Sequence, residues 1–233
     1  CHGYVGNGGL LSINKADQLK EQNMPRTIYL KATEYFDYYY PDISEFAGAL
    51  AAKHGSETEL AVELFYVVRD GYDYSANEFS LNKDYLKASY IFHRRGLWCV
   101  QKSILLISLA RVCGIPSRLL VATIKNHQAS NSLIEHFGTN IYFPHAYTEL
   151  FLNGKWVKAT AVFDKRTCKR VGMPVVEFDG VNDAMLPNTG LNGEPLIDYI
   201  KDYGHFPDLP WEMINDRFKQ MYPGVGYLYS ENR

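Results

Sequence analysis

Residues 96–112 read GLWCVQKSILLISLARV, a Gly-Leu-Trp-Cys start followed by a mostly apolar run. The run is apolar on nearly every side, which is typical of a helix enclosed by other elements. Gly114 and Pro116 predict its end, because a left-handed glycine cap is followed by a residue that cannot continue a helix. We therefore predict a buried helix over residues 99–111 and a strand over residues 118–124.

Cys99 stands in the first turn of this predicted helix. Helix N-termini carry partial positive charge and unpaired N–H groups, so a thiol there can be stabilised as the thiolate that attacks carbonyl carbon. Gly96 leaves space for backbone or substrate to approach the thiol. Cys99 is therefore a candidate nucleophile, and the alternative is a small buried apolar side chain.

A β-hairpin is predicted around Asn153-Gly154, the strongest short-range signal for a two-residue type I′ turn. Counting outward from this turn, side-chain alternation places His145 on the same face as Thr160 and, where the strand persists, Asp164. Both are diagonal neighbours of His145, roughly 7–8 Å away between backbones, a gap that side chains can span. The register therefore predicts a carboxylate beside the histidine. The predicted pairs are Leu152 with Lys155, Phe151 with Trp156, Glu149 with Lys158, and Tyr147 with Thr160.

These residues supply the three groups of a cysteine catalytic triad. Cys99 is the predicted nucleophile, His145 the general base and Asp164 the group that orients the imidazole. The imidazole takes the thiol proton, and the acid fixes its tautomer and stabilises the imidazolium. The sequence thus predicts that three distant residues meet at one site.

Three blocks of the sequence resemble the core of the transglutaminase-like superfamily, and they occur in the expected order. The likeness covers about residues 56–164, and the remainder of the chain looks like a bacterial branch of that superfamily. It implies an α+β, papain-like fold, in which N-terminal helices precede a buried helix that carries the cysteine and packs on an antiparallel sheet. The blocks are Trp98-Cys99, residues 110–118 (ARVCGIPSR), and residues 145–149 (HAYTE) with residues 154–156 (GKW).

The resemblance also implies an activity. In papain-like chemistry Cys99 attacks an amide, His145 protonates the leaving amine and a thioester forms. Water then makes the protein a hydrolase, whereas a second amine makes it an acyl transferase. We favour protease-like hydrolysis over cross-linking, with a peptide or an amide-containing small molecule as substrate and no cofactor. The alternative is a superfamily member without turnover that serves as a binding or scaffold module.

One position departs from the superfamily pattern. The usual Asp stands four residues after the hairpin tryptophan, Trp156, where this chain has Thr160. Asp164 is the predicted substitute, because the register places it on the face of His145. The alternative is that Thr160 orients the imidazole through its hydroxyl group, and the same departure is the sequence support for the inactive module.

Four further residues are candidates for substrate or oxyanion binding. Oxyanion stabilisation needs hydrogen-bond donors beside the nucleophile, so the Cys99 backbone N–H is expected to act with a side chain of Trp98 or Gln101. Asn126 and His127 open a long polar connection over residues 125–144, and such loops often cover a binding site. Both are therefore predicted to line the cleft.

Histidines recur at equal spacing in His127, His136 and His145, which is compatible with a metal site. No cysteine pattern or second set of ligands accompanies them. We therefore predict no metal, and the three histidines are taken separately.

The four cysteines lack the density and spacing of a disulfide framework, which predicts a reducing, cytoplasmic location. Because the chain begins at Cys1 without methionine, an exported form with a removed signal, or a lipid-bearing Cys1, is the alternative. Cys113 is predicted to lie in the core and Cys168 in a loop.

Composition limits the class of protein. With 233 residues, 46% hydrophobic content and a net charge of −2, the chain can bury a substantial core, and we predict one soluble domain over residues 1–233. The near-neutral charge makes a nucleic-acid partner improbable. No run approaches the roughly 18 apolar residues of a membrane span.

Local signals predict the remaining elements. Capping boxes at Asp42 and Ser56 indicate two helices before the core, and helical spacing after Pro210 indicates another near the C-terminus. Residues 28–30 form a predicted short strand, and the Gly-rich residues 1–11 form an arm or loop.

Overall fold

The structure, a computed structural model, describes residues 26–225, so Cys1 and the predicted arm over residues 1–11 lie outside it. The helices are α1 (Pro41–Ala51), α2 (Glu57–Gly71), α3 (Ala88–Ile91), α4 (Cys99–Val112), α5 (Asn131–Phe137), α6 (Lys165–Val171) and α7 (Trp211–Met221). The strands are β1 (Asp73–Tyr74), β2 (Gly96–Leu97), β3 (Ser117–Asn126), β4 (Ile141–Leu152), β5 (Lys155–Ala159) and β6 (Ile197–Phe206). Short 3-10 helices lie at Arg26–Leu30, Ala76–Glu78 and Lys83–Leu86.

The main sheet has the strand order β5-β4-β3-β6, and each neighbouring pair is antiparallel. Leu119 and Val121 of β3 share one buried cluster with Ile104 of α4. The alternate residue Leu120 packs with Tyr147 in a second small cluster. The α+β prediction of a buried helix on an antiparallel sheet is therefore confirmed.

Helix α4 begins and ends where the sequence predicts. Its N-terminus is fixed by Gln101, whose side-chain oxygen accepts a hydrogen bond of 3.3 Å from the Trp98 backbone N–H. At its C-terminus Gly114 has a positive φ of 79°, and Ile115 N–H donates to Ala110 O at 2.9 Å.

None of the helices within residues 26–225 has both the length and the apolar character needed to cross a membrane.

The β4–β5 hairpin has the predicted register as far as the strand extends. Phe151 pairs with Trp156 and Glu149 with Lys158. The strand ends at Ala159, however, so the predicted pairing of Tyr147 with Thr160 does not form. The alternation of side chains therefore cannot be continued to residue 164, and that part of the prediction is wrong.

Several local predictions are corrected by the structure. Residues 28–30 belong to a 3-10 helix rather than a strand. Cys168 is buried in α6 rather than placed in a loop. The connection over residues 125–144 contains α5 and the ends of β3 and β4, so most of it is ordered secondary structure.

One of the two predicted helix caps forms and the other does not. Ser56 caps α2 and accepts a hydrogen bond from Glu59 N–H, as predicted. Helix α1 instead begins at Pro41, which places Asp42 inside the first turn rather than at the cap. Proline suits the first helical position because its fixed φ is already helical and no N–H is needed there.

Two buried cations join the end of α2 to the rest of the core. Lys102 of α4 donates to the carbonyl oxygens of Arg69 and Tyr72, both at 2.8 Å. Arg69 in turn donates to Val176 O at 2.6 Å. Because carbonyl groups at a helix C-terminus lack helical partners, these bonds satisfy them and fix β1 beside the start of α4.

Candidate active site

Cys99 and His145 line the same cavity, which has a volume of about 100 Å³. Its other walls are mostly aromatic or aliphatic, and the polar side chains among them include Tyr74, Asn126 and Tyr142. The apolar lining includes Phe79, Trp98, Leu133, Phe137, Phe143, Val162, Phe163 and Phe218. The thiol and the imidazole therefore meet at a small apolar cavity, as the sequence predicts for these two residues.

The thiol of Cys99 is placed by the first residue of α4 and is nearly fully buried. It donates to Pro144 O at 3.6 Å. Burial raises the pKa of Cys99 to about 11, although the N–H groups of Ala146 and Val100 act to lower it. Burial therefore outweighs the helix N-terminus, and the expected ground-state thiolate is replaced by a neutral thiol.

His145 lies on β4 opposite Ala122 and is also buried. Burial lowers its pKa to about 3, so the imidazole is neutral near pH 7. Its Nε2 lies 3.3 Å from the hydroxyl oxygen of Tyr199, and its ring stacks on Tyr147 with a centroid distance of 5.9 Å. A neutral imidazole and a neutral thiol that line one cavity supply a proton acceptor and a nucleophile.

Asp164 lies at the start of α6. Its carboxylate accepts hydrogen bonds from the Tyr74 N–H at 2.8 Å, the Thr167 N–H at 2.9 Å and the Thr167 hydroxyl at 2.9 Å. Burial acts to raise the pKa of Asp164, but these donors hold it below its usual value. The structure thus uses Asp164 as a helix cap and a clamp on β1, and these bonds do not include His145.

Thr160 has the more direct connection to the histidine. Its hydroxyl group donates to Met185 Sδ at 3.7 Å, and the Thr160 side chain acts to lower the pKa of Tyr199. Burial raises the pKa of Tyr199, while the backbone of Leu186 and the Thr160 side chain lower it. The Thr160 side chain therefore acts on the same phenol group that His145 contacts.

Sequence reasoning missed Tyr199. It lies on β6, 54 residues after His145, and pairs with Ile124 of β3. No short-range pattern predicts which distant strand joins the edge of a sheet. The available signal was the alternation of residues 197–203, which indicates a strand but not its partner.

The two predicted oxyanion side chains differ in their partners. Trp98 is buried and lines the cavity, and within residues 26–225 its indole Nε1 has no hydrogen-bond partner. Gln101 is committed elsewhere, because its oxygen accepts from Trp98 N–H and its nitrogen donates to Tyr85 O at 3.0 Å. The structure therefore removes Gln101 from the predicted set and leaves Trp98 with an available donor.

Of the two residues predicted to bind substrate, one lines the cavity and the other does not. Asn126 lines the cavity. His127 lies outside that lining and pairs with Asp198 through an Nε2–Oδ2 distance of 2.7 Å. Within the described part of the chain, no group of three or more His, Cys, Asp and Glu side chains could hold a metal ion.

Comparison with known proteins gives one family match. The model of the transglutaminase-like superfamily matches residues 44–161, which include both Cys99 and His145. No curated protein matches the sequence.

Three solved structures illustrate the likeness in fold. A candidate cysteine protease from Cytophaga hutchinsonii is 12% identical, with a TM-score of 0.46, and the match covers 80% of this chain and 56% of that chain. The periplasmic domain of TgpA from Pseudomonas aeruginosa is 17% identical, with a TM-score of 0.42 and coverage of 60% and 49%. A candidate protease from Parabacteroides distasonis is 15% identical, with a TM-score of 0.41 and coverage of 58% and 26%. The chain thus spans about half the length of the first two.

Proposed function

The chain belongs to the transglutaminase-like superfamily, and from this premise we propose that it is a cysteine-dependent amide hydrolase that works through a thioester. One observation carries the proposal: the thiol of Cys99 and the imidazole of His145 line the same buried cavity. A nucleophile and a base in one water-poor site are the minimum equipment for acyl transfer.

The first half-reaction transfers the acyl group to sulfur. As Sγ of Cys99 attacks the amide carbon, His145 takes the thiol proton, and Nδ1 is the nitrogen that receives it because Nε2 faces Tyr199. The carbonyl oxygen gains negative charge, which the Trp98 indole N–H and the Cys99 backbone N–H stabilise. The imidazolium then protonates the amine, the C–N bond breaks and the thioester remains.

The second half-reaction releases the acyl group. His145 removes a proton from water, the hydroxyl oxygen attacks the thioester carbon, and the C–S bond breaks as the thiol is regenerated. We favour water over a second amine because water is the smaller nucleophile and can reach the sulfur in a cavity of about 100 Å³ that also holds the acyl group. Hydrolysis is therefore the expected outcome, and amine transfer is a result the experiment below can detect.

The cavity walls also limit the acyl group. Burying an unpaired charge among side chains such as Phe137, Phe143 and Phe163 is costly, whereas burying an aromatic or aliphatic group is favourable. The proposed substrate is therefore a peptide, or a smaller amide, whose group next to the scissile carbonyl is uncharged and apolar.

The proposal is tested by trapping the acyl-enzyme. The full chain is mixed with peptide 4-nitroanilides that differ in the acyl residue (Phe, Leu, Lys or Asp), quenched in acid and weighed by intact-protein mass spectrometry. The acyl mass is expected on the wild type and on Cys113→Ser, which alters a half-buried thiol beyond the far end of α4. It should be absent from Cys99→Ala and strongly reduced in His145→Ala.

Two further results decide between the outcomes. Adding glycinamide separates hydrolysis from transfer, because transfer produces an acyl-glycinamide of distinct mass. Absence of acyl mass with every substrate, together with equal alkylation of Cys99 in the wild type and His145→Ala, would overturn the enzyme proposal.

The second candidate, a module without turnover, is favoured by two observations. Thr160 occupies the position of the superfamily acid, and the burial of Cys99 leaves its thiol neutral. For such a module we expect apolar ligands to bind in the cavity and protect Cys99 from alkylation without any acyl transfer to sulfur.

A further inference from the structure

The imidazole of His145 is enclosed by two tyrosine rings. The ring of Tyr199 meets it edge-on, with a centroid distance of 5.5 Å, and Tyr147 stacks on it at 5.9 Å. The two tyrosines also contact each other at 5.6 Å. The plane of the imidazole is therefore set by aromatic packing, and its Nε2 is directed at the Tyr199 hydroxyl.

We propose that Tyr199 is the positioning residue that orients His145 where the superfamily pattern uses a carboxylate. This inference rests on the proposed function, since it names the group that fixes the base of that reaction. Thr160 stands at the position of that carboxylate and has a short side chain. The longer side chain of Tyr199 reaches the imidazole instead.

The local backbone explains how Tyr199 reaches the site. The pairing of β3 with β6 shifts register between Thr123 and Ile124, so that Thr123 pairs with Lys201 while Ile124 pairs with Tyr199. A bulge of this kind adds one residue to a strand and re-aims its side chains, and bulges are common beside active sites. Tyr199 lies outside the matched residues 44–161, so this positioning group comes from the C-terminal extension.

The proposed reaction requires one tautomer of His145. The Tyr199 hydroxyl stays protonated near pH 7, because burial raises its pKa, and a neutral phenol can either donate to Nε2 or accept from it. The proposal assigns the phenol oxygen as acceptor, so that the imidazole carries its proton on Nε2 and keeps Nδ1 available to take the thiol proton. A phenol does this without the negative charge of a carboxylate, which agrees with burial being the cause that sets the low pKa of His145.

Asp164 does not compete for this role. Its oxygens accept from Tyr74 and Thr167 at 2.8–2.9 Å, and these donors lie on β1 and in α6. Among the described residues, the polar side-chain group that contacts Nε2 of His145 is therefore the Tyr199 hydroxyl.

The test compares Tyr199→Phe with a matched control, Tyr203→Phe. Tyr203 lies on the same strand, and its hydroxyl contacts Thr123 Oγ1 at 3.0 Å and Arg217 at 3.2 Å. Both variants remove one hydrogen-bonded hydroxyl and keep the ring. Thr160→Val, which replaces a hydroxyl with a methyl group, tests whether the Thr160 hydroxyl helps to position Tyr199.

Two measurements are made on the full chain. Imidazole ¹⁵N spectra report the tautomer of His145, and we expect Nε2–H in the wild type and in Tyr203→Phe, but mixed tautomers in Tyr199→Phe. The rate of Cys99 alkylation by iodoacetamide near pH 7 should fall roughly 10–100-fold in Tyr199→Phe, a part of what a general base contributes. Thr160→Val should show a smaller fall, and Tyr203→Phe should match the wild type.

The outcomes separate this inference from the proposed function. If His145→Ala slows alkylation but Tyr199→Phe changes neither rate nor tautomer, the positioning role is wrong and the enzyme proposal stands. If His145→Ala leaves alkylation unchanged, the proposed function fails, and the tautomer spectra still decide the role of Tyr199. An Nδ1–H tautomer in the wild type overturns the inference directly.

Discussion

The carboxylate of Asp164 accepts a 2.8 Å hydrogen bond from the backbone N–H of Tyr74, a residue 90 positions earlier in the chain. The same carboxylate caps α6 through Thr167. Tyr74 lines the cavity of Cys99, so this single side chain connects the exit of the β4–β5 hairpin to one wall of the site. Its role in the described structure is to hold that wall in place.

Asp164→Ala should therefore reduce stability more than it reduces the chemistry of the thiol. Losing a helix cap and leaving the partly buried Tyr74 N–H without an acceptor should lower the free energy of unfolding by about 1–3 kcal/mol. Urea unfolding measures the loss. Asp183→Ala is the control, since Asp183 accepts from Lys158 N–H at an exposed position and should cost under about 1 kcal/mol. Unchanged stability with abolished Cys99 alkylation would return Asp164 to the triad.

The same hydrogen bonds predict a dependence on acid. They hold the pKa of folded Asp164 below 3.8, its ordinary value, so the folded state favours the ionised form. The resulting stabilisation is fully present above the unfolded pKa and is lost as pH falls toward the folded pKa. The stability difference between wild type and Asp164→Asn should thus be constant from about pH 5 to 7 and shrink below about pH 4. A difference that grows in acid would contradict this.

The elements that the sequence predicts well are those with local signals. Helix α4 is marked by its apolar run and by Gly114, and the hairpin is marked by Asn153-Gly154. These signals act within a few residues, so one sequence suffices to find them. Cys99 and His145 follow from them, because each lies at a fixed offset from such a signal.

The orienting group could not be predicted in this way. Extending the hairpin register to Asp164 requires β5 to persist, but the strand ends at Ala159. The spacing of Asp164 and Thr167 also predicts a helix cap, and the structure forms this cap rather than a longer strand. Tyr199 depends on the pairing of β6 with β3 and on a bulge, which are set by packing of the whole sheet.

The buried thiol predicts an unusual pH profile for alkylation. With the pKa of Cys99 raised to about 11 by burial and that of His145 lowered to about 3, neither group changes charge between about pH 4 and 9. Alkylation assisted by His145 should have a level rate across this range, whereas free thiolate adds a rate that grows about tenfold per pH unit up to about pH 11. His145→Ala should be roughly 10²–10⁴-fold slower near pH 7 and converge with the wild type at high pH.

Peptide mass mapping after timed iodoacetamide labelling gives this rate, with Cys113 and Cys168 as internal references in the same chain. A rate that rises with an inflection well below about pH 6 and then stays level would instead indicate a thiolate–imidazolium pair.

Trp98→Phe should separate oxyanion stabilisation from thiol reactivity. Trp98 lines the cavity, and its buried indole Nε1 has no partner among the described residues, so loss of this proposed oxyanion donor should slow amide turnover by roughly 10²–10³-fold. Alkylation by iodoacetamide forms no oxyanion and should be nearly unchanged. Trp211→Phe is the control, because that indole donates to Leu81 O instead. Equal slowing of both reactions would show that Trp98 positions Cys99 rather than binding the oxyanion.

The apolar lining predicts that acyl preference can be altered from one helix. Leu133 of α5 is half-buried and lines the cavity, whereas its neighbour Ile134 is exposed and does not. Leu133→Glu should shift the acyl preference from Phe toward Lys by roughly 10–100-fold in kcat/KM. A Phe side chain would have to remove water from the new carboxylate, which is costly, whereas a Lys ammonium group can pair with it. Ile134→Glu adds the same charge to the same helix and should leave the preference unchanged. If both variants alter it equally, the net charge of α5 acts on the substrate, and the cavity is not the acyl pocket.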